Sequence, residues 1–474
     1  MIEVPLMDEI ILIIRVCNKL MIAHLSPNSS DPIKRAMLDF LGMKGLEELY
    51  LDVPEEVLLK SPPEIGRRSD HIEIESLIDS KLPKKVKLIF TGGGMADHYV
   101  PPLVDELASR QEFYTSYTPY QPELSQGVLQ ALFEYQSLMA ELLGMDVVNA
   151  SLYDFGSALG EAGRFSIRVK KRKKIVIASN IHPERKLVLR TYLDPVNAEI
   201  VEAPMDEVRG TVDLGSLEKL IDDSVAMVYI ELPNFYGILE ERAEDIINIA
   251  HSKGAIAAIG IDPILAAIIR PPGDLGADLV IGEGQHLGSP MSFGGPSLGI
   301  FAVRMDMSFV RQLPGRLIGM TKSVDGQRGY CMVLQTREQH IRKEEATSNI
   351  TTSSSLMAIR AAIYIALLGP NGLRKLAEKI LYNTAYLKER ISKVEGFKIP
   401  FNGINFKELA VSSSVSWERI NRKLLSNGIL GGFIVSRLFP EMDRGKNIAL
   451  FSTTEKHGKA EIDMLVDLME EVGE

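Results

Sequence analysis

Cysteine is nearly absent: Cys17 and Cys331 are the only two in 474 residues. Two thiols cannot make a disulfide framework or a Cys-rich metal site, and a reducing, cytoplasmic setting fits them best. A basic surplus is lacking too. Lys plus Arg number 53 against 63 Asp plus Glu, a net charge of −10, which argues against nucleic acid as a partner because such binding depends on a basic face. Long apolar runs are missing as well. Residues 10–23 contain Arg15 and 255–269 contain Asp262 and Pro263, so neither supplies the ~18–20 apolar residues of a membrane span, and no membrane partner is expected. Repeats and low-complexity tracts do not occur. The first residues carry Glu3, Asp8 and Glu9 with no small-x-small cleavage site after them, unlike a signal peptide. Residues 1–20 read as an N-terminal extension, with Met21 as an alternative start.

What is present is ordinary for a folded protein: 45% apolar and 24% charged residues, over a length that suits two or three packed units. From Lys174 onward short β-branched runs alternate with helical stretches. Strands are expected at 174–179, 199–203, 225–232, 255–261 and 278–281, with helices at 183–193 and 239–253. That alternation predicts an α/β fold with a mostly parallel sheet covered on both faces. Upstream, 124–143 has an apolar stripe at helical spacing and Gly144 where a helix-ending glycine belongs. Downstream, 354–368 reads as a buried helix closed by Gly369-Pro370. The last ninety or so residues alternate again (408–412, 416–426, 447–452, 459–471), which predicts a smaller C-terminal α+β domain.

Several segments could carry chemistry. Thr91–Gly94 (TGGG) and Phe293–Pro296 (FGGP) have neither a Walker A nor a GxGxxG spacing and read as turns. Gly156-Ser157-Ala158 opens a helix and serves either as a phosphate cradle or as an ordinary serine cap. Asp262 ends the buried strand AIAAIGID, at the carboxyl edge where ligands bind in open α/β sheets. In pyridoxal-phosphate enzymes an Asp so placed pairs with the pyridinium nitrogen, and a lysine beyond it forms the Schiff base. No lysine occurs between Lys253 and Lys322. Where it should stand the chain reads GEGQHLG, and neither Gln285 nor His286 can replace it. The loop 114–121 (YTSYTPYQ) gathers Tyr114, Tyr117 and Tyr120, either as a ligand or interface surface or as a packed cover. Lys170–Lys174 reads as a solvated turn. The mixed charges of 336–350 read as an exposed or interfacial helix.

Together the segments 97–101 (DHYVP), 108–130, 233–237 (PNFYG), 271–296, 314–319 (PGRLIG) and 335–350 resemble one family, the P-protein of the glycine cleavage system, in its alpha-chain form. The likeness runs from about Ser26 to the C-terminus. It implies a fold-type I pyridoxal-phosphate-dependent transferase-like architecture. The implied division is an N-terminal helical region at 21–110, a large domain lacking the Schiff-base lysine at 111–345, and a linking helix with the small domain at 346–474. The resemblance further implies that pyridoxal phosphate sits on a partner beta chain, glycine dehydrogenase subunit 2, with none covalently bound to this chain. Glycine would be decarboxylated there and its aminomethyl group passed to the lipoyl arm of the H-protein, in an alpha2-beta2 assembly. Tyr117, Tyr120, Gln121 and His98 are the expected substrate-side residues, facing the partner's pocket. Phe155, after Tyr153-Asp154, departs from the small residue usual in the family and disfavours a phosphate there. The competing readings are a self-sufficient pyridoxal-phosphate aminotransferase or lyase, and a scaffold subunit without a catalytic role.

Overall fold

The structure, a computed structural model, describes residues 30–473 except 60, 62, 65–68 and 83–85; the expected extension at 1–20 lies outside them. Two units divide the chain, 1–82 and 83–474. The first contains helices Asp31–Leu41 and His71–Lys81. Gly42, at φ 69°, ends the former, and the Asp70 carboxylate starts the latter by accepting the Glu73 N–H at 2.8 Å.

The second unit is organised around a seven-stranded sheet. Its strands are Val147–Val148 (β1), Lys174–Ala178 (β2), Glu199–Ala203 (β3), Val225–Leu232 (β4), Ile256–Ile261 (β5), Leu279–Glu283 (β6) and Gly299–Val303 (β7), in the order β1-β7-β6-β5-β4-β2-β3. β2 through β6 run parallel, and β7 is antiparallel to both β6 and β1. Every residue of β4 and β5 is buried, which explains why β5 reads as an unbroken apolar run and β4 as one interrupted only by Glu231. Helices Gln126–Leu143 (α1), Phe155–Lys170 (α2), Pro183–Leu193 (α3) and Ala243–Ser252 (α4) accompany the strands. On α1 the buried stripe includes Tyr135 together with Leu129, Leu132, Met139 and Leu143, the last four each worth about 1.5–3 kcal/mol when fully buried. Gln136 is the polar member of that stripe. It exchanges two hydrogen bonds with the Ile318 backbone (3.0 and 2.9 Å), pinning the hairpin of Leu317–Lys322 (β8) and Arg328–Val333 (β9) onto α1.

Ser355–Ile391 (α5) is longer than expected. Gly369 leaves helical angles (φ 60°, ψ −179°), but the helix resumes at once because Pro370 suits the first turn of its second half. By length and composition this helix could cross a membrane, contrary to the expectation that no segment could. Its Ala358, Ile359, Ala361 and Tyr364 instead pack into the large core, while Leu387 and Ile391 join a second core with Trp417, Ile420 and Leu465. That second core lies on an antiparallel sheet of Phe397–Lys398 (β10), Glu408–Ser413 (β11), Phe433–Ile434 (β12) and Ile448–Ser452 (β13), ordered β10-β11-β13-β12. Helices Trp417–Ser426 (α6) and Lys459–Gly473 (α7) accompany it.

The helix expected over 336–350 does not form. Three short turns, Gln335–Arg337, Gln339–Arg342 and Lys343–Glu345, replace it. Leu334 (φ 55°) and Lys343 (φ 52°) break the helical path, and the buried Arg337 side chain bonds the carbonyls of Leu313 and Gly315. Tertiary bonds to a buried arginine outweigh the local charge pattern.

Candidate functional site

The carboxyl edge of the parallel strands gathers one buried polar cluster. Glu231 is the last residue but one of β4, Asp262 follows β5, and β6 ends in Glu283. The segment after β2 brings His182, the capping residue of α3, and Arg185 on that helix's first turn. From the small domain come Lys407 and Glu408, at the head of β11. These side chains line a common cavity of about 40 Å³, room for a few water molecules.

The centre of the cluster is an ion pair. The Lys407 ammonium bonds the Asp262 carboxylate directly and lies 3.0 Å from His286 Nδ1. Lys407 reaches it from a left-handed backbone (φ 63°). Burial by itself would raise the Asp262 carboxyl, but Lys407 and His286 outweigh it and hold the group well below its usual range. Burial, aided by Lys407, lowers His286 to about 4, so the imidazole is neutral and accepts from the ammonium. His98 stands against it with ring centroids 5.2 Å apart, its Nδ1 2.9 Å from Glu455.

A second knot surrounds Glu231. Its carboxylate accepts from the Arg185 guanidinium (2.9 Å), the Tyr229 hydroxyl (3.0 Å) and the His182 N–H (3.0 Å). Arg185 also stacks on Phe155, 3.7 Å from the ring centroid, an arrangement strengthened by desolvation. Glu283 is pushed up to about 7 by burial although it accepts three backbone N–H groups, from Phe155, Gln285 and Leu298. Burial also raises Glu408, which accepts the N–H groups of Gly93 and Gly94 (3.1 and 2.8 Å). The TGGG segment is therefore a turn wrapped on a carboxylate.

The residues present do not fit pyridoxal phosphate. Both oxygens of Asp262 are already engaged by the protein, Oδ1 by the Ile264 N–H and Oδ2 by Lys407. Gln285 and His286 stand on the loop that would carry a Schiff-base lysine, and the Gln285 amide is turned to the Ser289 carbonyl at 2.6 Å. At the N-terminus of α2 the cap is Asp154, not Ser157: its carboxylate accepts the Ser157 N–H at 2.7 Å, placing negative charge where a phosphate would sit. The cavity beside Asp262 holds only about 40 Å³, and the neighbouring space of about 340 Å³ at the start of α2 is faced by Asp154 and Phe155.

The tyrosine loop lies apart from this cluster. Tyr117 and Gln121 are exposed. Tyr120 accepts a 2.7 Å hydrogen bond from the buried Arg316, and its ring meets His340 edge-on at 5.1 Å. Of the four residues singled out in the sequence, Tyr117, Tyr120 and Gln121 share one loop, whereas His98 belongs to the buried cluster. Sequence reasoning missed Lys407, Arg185 and Arg316. A lysine and a glutamate side by side at the head of an apolar strand were the available signal for the first.

The neutral histidines make stability depend on pH. In the unfolded chain a histidine takes its proton near 6.5, whereas folded His286 holds out to about 4. The unfolded state binds more protons between those values, so this contribution is complete above about pH 6.5 and is lost as pH falls toward 4. Glu283 acts oppositely, its contribution being present below about 4.5 and lost as pH rises through about 7. The difference between wild type and His286→Gln isolates the histidine. Urea midpoints should fall less steeply in the variant between pH 6.5 and 4, and parallel profiles would disprove the assignment.

A parallel sheet with a carboxylate after β5, a following loop at the next strand end and a linked small α+β domain define a fold-type I pyridoxal-phosphate transferase scaffold, here filled from within. Its structural neighbours include the sphingosine-1-phosphate lyase of Burkholderia pseudomallei (TM-score 0.62, 15% identity, 88% of this chain and 93% of that one). A NifS-like protein also shares the fold (TM-score 0.59, 16% identity, 81% and 98%). The model of the glycine cleavage system P-protein family matches residues 23–469, and the chain belongs to that family. It is 48% identical to the probable glycine dehydrogenase (decarboxylating) subunit 1 of Staphylothermus marinus, over 94% of this chain and 97% of that protein. The protein of the same description from Pyrococcus furiosus is also 48% identical, over 95% and 99%. A crystal structure of glycine decarboxylase (P-protein) in inhibitor-bound form matches with TM-score 0.80 and 37% identity, over 94% of this chain and 99% of that one.

Proposed function

We propose that this chain is subunit 1 of a two-subunit glycine decarboxylase, the P-protein of a cytoplasmic glycine cleavage system, and that it holds no pyridoxal phosphate itself. A second, beta subunit carries the cofactor, binds glycine and decarboxylates it. The aminomethyl group then passes to the lipoyl arm of the H-protein. Two chains of each kind make the assembly. The observation that supports the division of labour is the Lys407–Asp262 pair, which stands where a cofactor ring would otherwise be held. This chain's contribution is then geometric. The exposed loop of Tyr117, Tyr120 and Gln121 forms part of the wall of the partner's pocket, with rigid phenol rings that are apolar and hydrogen-bonding at once. His98, buried against Glu455 and beside His286, belongs to the buried cluster rather than to that wall.

The test has two arms. Full-length chain incubated with pyridoxal phosphate and borohydride should acquire no covalent label on any lysine. Stoichiometric labelling, at Lys407 above all, would restore the self-sufficient enzyme as the better reading. Mixed with the beta subunit, the chain should be required for glycine/bicarbonate carbon exchange. Full exchange by the beta subunit alone would leave it a scaffold. Tyr117→Ala should cut exchange about 10-fold or more, the scale expected for a displaced positioning group, while subunit association in sedimentation stays intact. Undiminished exchange would remove Tyr117 from the pocket wall.

A further inference from the structure

Helix α2 borders another cavity, of about 390 Å³, within the size range of small-molecule sites. Glu161, Arg164, Thr191, Tyr192 and Ser348 are among its lining residues. Glu161 is only 2% exposed. One carboxylate oxygen accepts the Ser348 hydroxyl at 2.7 Å, and the other is buried with no hydrogen-bond partner. Buried polar atoms are nearly always satisfied, so this one calls for a partner. One turn along, on the same helix face, Arg164 makes no hydrogen bond or ion pair with any described residue. The two are close enough for their charges to interact, yet they do not pair with each other. Arg168, the other cation at the cavity, already spends Nε and Nη2 on Gln312 (3.0 and 3.1 Å).

We propose that this cavity binds a free α-amino acid, its carboxylate on Arg164 and its ammonium on Glu161. A guanidinium with open donors is shaped for a carboxylate. The unpartnered Glu161 oxygen lies buried just behind the cavity wall; an ammonium reaching it would supply the partner it lacks, and residues three apart on a helix set the two charges side by side. A zwitterion closes the gap that Glu161 and Arg164 leave open. The bonded Ser348 lies on the segment leading into α5, so occupancy would also tighten that segment against α2. The inference does not depend on which subunit carries a cofactor.

Isothermal titration of the full-length chain without its partner tests it. Glycine and L-serine should bind saturably at one site per chain. N-acetylglycine, which lacks the ammonium, and ethylamine, which lacks the carboxylate, should each bind about 10-fold or more weaker. Arg164→Gln, at a half-buried position, should reduce glycine affinity by a similar factor with an unchanged unfolding transition, and Glu161→Gln should do the same. Absence of saturable glycine or serine binding would overturn the proposal. So would equal binding of N-acetylglycine, or binding untouched by Arg164→Gln. Because the proposed catalytic partner is absent, these outcomes are separate from those of the exchange assay.

Discussion

Replacing Lys407 by methionine should destabilise the protein by about 3–5 kcal/mol, the usual cost of stranding one member of a buried ion pair. Asp262 would be left as an unpaired carboxylate, almost wholly out of water, beside the neutral His286. A neutral thioether cannot donate to it, and the few waters that the cavity of about 40 Å³ can hold do not supply the lost positive charge. The same pair ties the small domain to the large one, since Lys407 precedes Glu408 at the head of β11 and Asp262 follows β5. Adding Asp262→Asn to the methionine variant should recover most of the loss, because the buried charge that caused it is then gone. Urea unfolding followed through Trp417, the only tryptophan and a member of the small-domain core, gives the measurement. A methionine variant within about 0.5 kcal/mol of wild type would mean that the pair does not hold the pocket closed.

The same residue shows where sequence reading stops. β4 and β5 were legible because strands covered on both faces are apolar almost throughout, Glu231 near the end of β4 being the exception, and α1 because its stripe and Gly144 follow helical rules. Asp262 was legible by its place after such a strand. Lys407 lies 145 residues further on in another domain, and no local rule links it to Asp262. The missing lysine could be counted, but the lysine that filled the pocket had to be seen. The segment 336–350 failed for a related reason. Its charges at helical spacing suggested a solvated helix, whereas Arg337 and Glu338 are buried, Arg337 bonded to the Leu313 and Gly315 carbonyls and Glu338 facing Arg316 at 3.6 Å. Charge patterning reports a helix only when those charges face water. The phosphate-or-cap ambiguity at Gly156-Ser157-Ala158 was decided by Asp154, one residue before the helix, because a carboxylate is the stronger partner for free helix N–H groups.

Arg316→Ala should reduce the exchange activity of the assembled enzyme about 100-fold, the scale on which a positioning group displaced by 1 Å is felt, while leaving the subunits associated. Arg316 is 3% exposed. It donates to the Tyr120 hydroxyl at 2.7 Å and to the Thr351 carbonyl, and its guanidinium lies 5.4 Å from the Tyr120 ring centroid. Glu338 stands 3.6 Å behind it and also lies 3.7 Å from His340, whose ring meets Tyr120 from the side. The loop is thus mounted on a buried guanidinium, and the exposed face of Tyr120 is aimed by a residue that solvent does not reach. Lysine retains the charge but not the planar fork, so Arg316→Lys should recover only part of the activity. Tyr120→Phe, which keeps the ring and loses one hydrogen bond, should cost far less than the alanine variant. A merely structural arginine would lower the thermal transition and leave the KM for glycine unchanged. An arginine that aims the loop should shift KM and kcat together in enzyme whose subunits remain fully associated. Exchange kinetics on the reconstituted complex separate the two, and wild-type kinetics in Arg316→Ala would detach the tyrosine loop from the reaction altogether.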